Sequence, residues 1–168
     1  DYREIPLYTG ALRARNLEGF RESLRRNAML DQALDFARAS GKLQCLMYKA
    51  DIETVLLTPG AGGFQLLSLQ DFPGQGSALV GVLDAFWNAK TGTSPDEFRR
   101  FCGPTVPLLR IGKRVWSQRE TITARAEIAH YGAAPIIRAR PCWSARTVDG
   151  REVASGQWGE QTIPLGNG

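Results

Sequence analysis

The hydrophobic pattern of this 168-residue chain changes its period near residue 108, and that change limits the folds the chain can adopt. Before that point, apolar residues recur at helical spacing, as they do between residues 17 and 24. Beyond it, apolar and polar residues alternate, as in residues 121–128. The sequence therefore predicts a helix-containing region over residues 1–108 and a strand-rich region over residues 109–168.

Composition narrows the class of protein. A hydrophobic content of 43% is enough to build a core and argues against intrinsic disorder. The longest apolar runs, such as residues 78–83, fall far short of the roughly 20 residues that a membrane-spanning helix needs. We therefore expect no membrane partner.

The first region predicts helices followed by an apolar strand. One helix is expected from Asn16 to about Arg26, and a longer one after Asp31 that ends near residue 58 and is interrupted or bent at Gly41. Glycines then lead into an apolar run over residues 63–72, which reads as a buried strand of the parallel type. This order is the αβ step of a barrel or doubly wound sheet, whose functional groups collect beyond the carboxyl ends of the strands.

The second region predicts antiparallel strands. Residues 121–128 and 137–140 alternate, and an Asp149-Gly150 turn signal between two strand-like runs predicts a hairpin over residues 143–158. Before this region, Ser94-Pro95-Asp96-Glu97 predicts a short helix with a capping box. About four strands are recognisable after residue 108, fewer than the seven or so of a complete sandwich.

Several kinds of site are not predicted. Gly74-Gln75-Gly76 lacks the third glycine of a dinucleotide loop, so we interpret residues 73–77 as a rim loop. No phosphate-binding glycine-lysine motif occurs. The three cysteines are odd in number and widely spaced, and His130, the single histidine, is expected to be structural or exposed rather than catalytic. We predict no metal and no cofactor.

Three residues are candidates for ligand binding. Asp71 and Gln70 stand at the end of the predicted strand, where a barrel places its substrate-binding groups. Asp71 could instead cap the loop that follows it. Trp87 could form an aromatic platform that stacks on sugar rings, although aromatic residues near a domain junction more often belong to a core. The other tryptophans, at positions 116, 143 and 158, are expected in a sandwich core or interface.

Six segments carry a family resemblance: residues 8–16 (YTGALRARN), 39–44 (ASGKLQ), 63–76 (GFQLLSLQDFPGQG), 83–87 (LDAFW), 97–101 (EFRRF) and 161–166 (QTIPLG). They resemble glycoside hydrolase family 2, in particular its bacterial β-galactosidase-like and β-glucuronidase-like members. The resemblance spans nearly the whole chain.

The resemblance implies a fold and an activity. Residues 1–108 would be the last βα units of a (β/α)8 TIM barrel, with residues 63–72 as its eighth strand, and residues 109–168 would begin an immunoglobulin-like β-sandwich. The chain would then be part of a retaining glycosidase that cleaves β-glycosidic bonds in oligo- or polysaccharides. The resemblance places both catalytic glutamates upstream of Asp1, so it assigns no catalytic residue here and makes the remainder of the chain a partner. Polysaccharide substrates would suit a periplasmic or secreted protein.

The sequence is also compatible with two other functional hypotheses. A non-catalytic carbohydrate-binding or cell-surface protein could share this architecture, and the presence or absence of the upstream glutamates would separate the two. A basic adhesion or nucleic-acid module would use the arginines of the second region. These arginines are spaced like solvent-facing strand positions and are not interleaved with aromatics, so nucleic acid is not an expected partner.

Overall fold

The computed structural model describes residues 15–72 and 79–167, and these divide into two compact units. The first unit comprises residues up to 55 together with residues 62–102, and the second comprises residues 56–61 and those from 103 onward. Both are discontinuous in sequence because residues 56–61 belong with the later strands. The expected rim loop over residues 73–77 lies outside the described residues.

Helices dominate the first unit, where the sequence predicts them. Helix α1 covers Arg15–Arg26, and a 3₁₀ turn at Leu30–Gln32 leads into α2, Ala33–Leu56. The expected interruption of α2 at Gly41 is absent, since the helix is continuous there. Gly41 instead permits a close backbone approach: a Cβ placed on it would lie 3.0 Å from the Gly92 Cα.

Helix α2 has apolar side chains that no other described residue covers. Only Cys45 and Ile52 are buried. Large apolar side chains remain exposed along the same helix, namely Leu34, Phe36, Leu43, Leu46 and Met47. Between α1 and α2 lies an open groove of about 850 Å³ lined mainly by apolar side chains such as Leu17, Phe20 and Leu79.

The predicted strand over residues 63–72 is wrong as a continuous element. A strand persists only where its backbone pairs with a neighbour. In this segment Gln70 forms a single parallel bridge with Leu83, outside any regular sheet. The residues before it run irregularly, and Leu67 is 88% exposed rather than buried.

The predicted short helix is confirmed, but its capping box is only half formed. Helix α3 covers Pro95–Arg99, and the Ser94 hydroxyl accepts a hydrogen bond from the Glu97 amide at 3.1 Å. The Glu97 carboxylate does not return to the cap. It instead binds the Lys42 ammonium of α2.

The second unit consists of short antiparallel strands. In chain order they are β1 Thr105–Ile111, β2 Ala124–His130, β3 Ile136–Ala139, β4 Cys142–Arg146, β5 Glu152–Gln157, β6 Gln161–Ile163 and β7 Gly166–Asn167. They form three small sheets with the orders β1-β2-β7, β3-β6 and β4-β5. The predicted hairpin is confirmed as β4 and β5, with Gly150 at a positive φ in its turn.

The core of the second unit lies on the β1-β2 pair. Val106, Leu108 and Ala129 are buried there, and Leu56 and Leu57 pack against them. A side chain of β7 also binds two carbonyl oxygens at and just beyond the end of α2. The Asn167 side-chain amide donates to the Leu56 and Thr58 carbonyls, both at 3.0 Å.

The described residues thus form a mixed α+β structure in which helices precede small antiparallel sheets. No closed barrel is present among them. None of the described helices is both long enough and apolar enough to cross a membrane.

Candidate functional site

Residues 82–90 of the first unit form a short hairpin, here called the Trp87 hairpin. Leu83 and Ala89 pair as an antiparallel bridge, and the Lys90 amide donates to the Val82 carbonyl at 3.1 Å. The Asp84 amide donates to the Asn88 carbonyl at 2.9 Å. The backbone therefore reverses over residues 84–88.

The Asp84 side chain organises this turn. Its Oδ1 accepts from the amides of Phe86 at 2.8 Å and Asn88 at 2.9 Å, and its Oδ2 accepts from the Asn88 side-chain amide at 3.1 Å. Burial raises the pKa of the Asp84 carboxyl, but hydrogen bonds from Asn88 and Phe86 outweigh it, and the net effect lowers the pKa. The turn is consequently built around an ionised carboxylate.

Trp87 occupies this turn in an unusual conformation. Its φ is +68°, in the left-handed region that favours glycine and is costly for a bulky residue. Its side chain is 62% exposed, so burial of the indole does not compensate for the strain. Backbone strain of this kind tends to concentrate at functional positions. The hairpin therefore presents an indole to solvent.

An ion pair between buried Asp71 and half-buried Lys90, here called the Asp71 anchor, holds the Trp87 hairpin. Asp71 is 1% exposed, and its Oδ1 accepts from the Gly81 amide at 2.9 Å and from the Lys90 ammonium at 2.9 Å. Oδ2 lies 3.2 Å from the same ammonium, which also donates to the Gly81 carbonyl at 2.8 Å. The anchor therefore connects Gly81, just before the hairpin, and Lys90, at its end, to the segment that contains Asp71.

The segment entering the hairpin is also fixed from α2 and by close packing. The Gln44 side-chain amide and the Tyr48 hydroxyl donate to the Val80 carbonyl at 2.6 and 2.7 Å. A Cβ on Gly81 would lie 2.3 Å from the Gln70 carbonyl carbon, so no other residue fits there without movement. The base of the hairpin therefore has little freedom.

The three predicted ligand-binding residues meet around this one feature. Asp71 forms the anchor, half-buried Gln70 pairs with Leu83 at the base, and Trp87 lies in the turn. Sequence reasoning missed Lys90 and Asp84. The Asp84-to-Asn88 spacing was a usable signal, because Asp and Asn side chains commonly close tight turns.

His130, in the second unit, is buried and structural, which is one of the two alternatives that the sequence leaves open. Its Nδ1 lies 2.7 Å from the Thr105 hydroxyl, and its Nε2 lies 2.9 Å from the Ala134 carbonyl. A carbonyl only accepts, so Nε2 donates, and in the neutral ring Nδ1 accepts from the hydroxyl. Among the described residues, no group of three or more His, Cys, Asp or Glu side chains could hold a metal ion.

The arginines of the second unit are largely paired with glutamates. Arg138 and Arg140 both contact Glu160, and Arg146 contacts Glu152. Such pairing reduces the positive charge available to a polyanion.

Glu127 of β2 is the most enclosed of these acids. Its Oε1 accepts from Arg110 Nε at 2.6 Å and from Arg125 Nε at 2.8 Å. These hydrogen bonds, with Arg110 the larger contributor, lower the pKa of Glu127 from 4.5 to about 2. Trp143 and Trp158, which the sequence places in a sandwich core or an interface, are both exposed, so they do not belong to a core among the described residues.

Part of the chain matches a protein family. Residues 120–168 match a family described as a domain of unknown function, DUF8488. The matched segment includes β2 to β7 and lies outside the Trp87 hairpin. No curated protein matches the chain.

Proposed function

We propose that this chain is part of a retaining glycoside hydrolase that cleaves β-glycosidic bonds, similar to glycoside hydrolase family 2. In this proposal the first unit is the last part of a (β/α)8 barrel, and the strands of the second unit begin an immunoglobulin-like sandwich. The observation that carries the proposal is Trp87, an exposed indole on a strained turn whose base is fixed by the Asp71–Lys90 ion pair.

The indole has the chemistry that sugar recognition requires. One face of a pyranose ring carries mainly C–H bonds, and a flat aromatic surface packs against that face while the hydroxyls remain free to form hydrogen bonds. The segments that resemble the family, residues 63–76 and 83–87, contribute the anchor and the turn. Gln70 at the base of the hairpin supplies an amide able to contact a sugar hydroxyl.

The exposed apolar surface of α2 supports the barrel part of the proposal. Helices that surround a barrel bury an apolar face against its sheet. Leu43, Leu46 and Met47 form such a surface without a covering sheet among the described residues. In the proposal, further strands of the intact protein cover it.

The chemistry would follow the two-carboxylate mechanism of retaining enzymes. One carboxylate attacks the anomeric carbon while a second, about 5 Å away, protonates the leaving oxygen and later activates water. In the proposal both are glutamates upstream of this chain. Asp71 is not one of them, because Gly81 and Lys90 occupy its carboxylate oxygens. A periplasmic or secreted location would suit polysaccharide substrates.

The test is hydrolysis of a panel of nitrophenyl β-glycosides by the intact protein and by the 168-residue chain, measured in parallel. We expect turnover by the intact protein alone. Turnover by the 168-residue chain would disprove the upstream position of the glutamates. A folded intact protein that hydrolyses none of the panel would reject the glycosidase.

A non-catalytic carbohydrate-binding protein is the second candidate, since an exposed indole on a fixed turn serves binding without hydrolysis equally well. Titration of the intact protein with β-linked oligosaccharides distinguishes the two. Saturable binding without turnover would favour the binding protein. Loss of that binding in Trp87→Ala, with retention in Trp143→Ala, would assign it to the hairpin.

A further inference from the structure

We propose that Lys90 is a positioning residue for sugar binding, and that it acts by holding the Trp87 hairpin on the Asp71 anchor. The inference rests on the proposed function for its substrate class, a β-linked sugar. It assigns to Lys90 and Asp71 an effect on substrate binding that passes through Trp87 and involves no contact between either residue and the sugar.

The first step is the geometry of the ammonium. Lys90 Nζ contacts both carboxylate oxygens of Asp71, at 2.9 and 3.2 Å, and the Gly81 carbonyl at 2.8 Å. Three acceptors match the three donors of an ammonium group. The ammonium group therefore donates all its hydrogen bonds to residues at the base of the hairpin.

The second step is the path from the ammonium to the indole. Lys90 is the last residue of the hairpin, and its amide bonds to Val82, so its backbone is part of the same ladder as Leu83 and Ala89. That ladder fixes both ends of the turn that contains Trp87. The strained φ of Trp87 persists only while the turn is held by its surroundings.

The third step is what removal of the ammonium would do. Asp71 would keep the Gly81 amide but would lose the cation that neutralises it in a buried position. An ionised carboxylate is unfavourable there without its partner, so the segment must rearrange toward water. The hairpin is bonded to that segment, because the Asp71 amide donates to the Leu83 carbonyl at 2.9 Å, and it would move with it.

The experiment is a double-mutant cycle in the intact protein with the nitrophenyl β-glycoside that it hydrolyses best. We expect Trp87→Ala to raise KM about tenfold, as loss of one aromatic packing contact would, with kcat changed less than about threefold. Lys90→Met should raise KM by a similar factor. The double variant should be no worse than Trp87→Ala alone. Lys90→Arg, which keeps the charge, should recover part of the loss.

A matched control is Lys113→Met. Lys113 also pairs with a carboxylate, that of Glu120, but lies on the surface of the second unit. We expect its KM and kcat to equal those of the unaltered protein. Two outcomes would overturn the proposal. In one, the increases in KM caused by Lys90→Met and Trp87→Ala multiply in the double variant. In the other, Lys90→Met lowers kcat and leaves KM unchanged.

A second readout does not depend on activity. The intact protein labelled with 5-fluorotryptophan gives a ¹⁹F resonance for Trp87, assigned by its loss in Trp87→Phe. We expect Lys90→Met to shift or broaden this resonance and Lys113→Met to leave it unchanged. An unchanged resonance in Lys90→Met would refute the positioning role even if the protein hydrolyses no glycoside. If Lys90→Met does not fold, Lys90→Arg and Lys90→Gln give the same comparison.

Discussion

Each of the two units contains an enclosed acid paired with cations, and the two acids differ in what they support. Asp71 of the first unit stands in irregular backbone and accepts from a main-chain amide and an ammonium. Glu127 of the second unit stands on β2, whose backbone pairs with β1 along seven residues. The first acid thus reinforces a backbone pairing of only a few residues, whereas the second adds to a seven-residue ladder. Loss of Asp71 should therefore cost far more than loss of Glu127.

The largest effect should come from Gly81→Ala, which tests whether close packing around the Asp71 anchor is as strict as its geometry indicates. The new Cβ would lie 2.3 Å from backbone, which cannot move aside as a flexible side chain could. We expect a loss of about 3 kcal/mol or more in the free energy of unfolding. Urea denaturation of the intact protein measures it. Gly62→Ala, with open space around its Cβ, is the control, and equal losses in both would contradict the packing argument.

Asp71→Asn should cause the second largest loss in the free energy of unfolding. The amide keeps the shape of the side chain but leaves the Lys90 ammonium without its counter-charge, at a cost of about 2–3 kcal/mol. Asp96→Asn provides the comparison, because Asp96 forms an exposed pair with Arg99 at 3.6 Å and should cost well under 1 kcal/mol. The same denaturation assay ranks them. Comparable costs for the two variants would show that enclosure of Asp71 contributes little.

Gly132→Ala tests a position in the second unit where the backbone lies against a buried side chain, that of His130. Its Cβ would lie 2.6 Å from His130 Cε1, and the His130 ring is held at both nitrogens. We expect a loss of about 1–2 kcal/mol. Thermal unfolding of Gly132→Ala beside Gly159→Ala, which meets no neighbour, measures it. An unchanged free energy of unfolding in Gly132→Ala would mean that the His130 ring can move aside at little cost.

Glu127→Gln should have the smallest effect, about 1 kcal/mol or less at neutral pH, because its partners Arg110 and Arg125 are largely exposed. The pKa of Glu127 is lowered on folding, so its stabilisation is complete above about pH 4.5 and disappears as the pH falls toward 2. Hydrogen exchange of β1 and β2 amides should therefore distinguish the variant from the unaltered protein at pH 6 but not near pH 2. A difference that persists at low pH would exclude the ion pair as its cause.

The sequence predicted elements whose signals are local. The hairpin of β4 and β5 follows from Asp149-Gly150 because the turn itself selects the pairing, and α3 follows from Ser94 and Pro95 for a similar reason. The expected strand over residues 63–72 was wrong because an apolar run becomes a strand only if partners adjoin it. Local signals therefore identified turns and caps but not the pairing of apolar segments.

The candidate site was predictable only in part. Asp71, Gln70 and Trp87 were selected one by one, from strand position and aromatic character. Their connection depends on Lys90, which lies 19 residues from Asp71 and carries no motif that links the two. A single sequence does not reveal a pair at that separation, because many arrangements of the intervening chain are compatible with it.

The side-chain amide of Asn167 has a consequence for how the protein is made. It binds the carbonyl groups of Leu56 and Thr58, which precede it by 111 and 109 positions. At typical ribosomal speeds the helix end leaves the ribosome on the order of ten seconds before Asn167 is synthesised. During that interval the Leu56 and Thr58 carbonyls lack the Asn167 side-chain amide, so the end of α2 should fray more than it does once β7 is in place. Chaperones and proteases would meet the nascent chain in that frayed state.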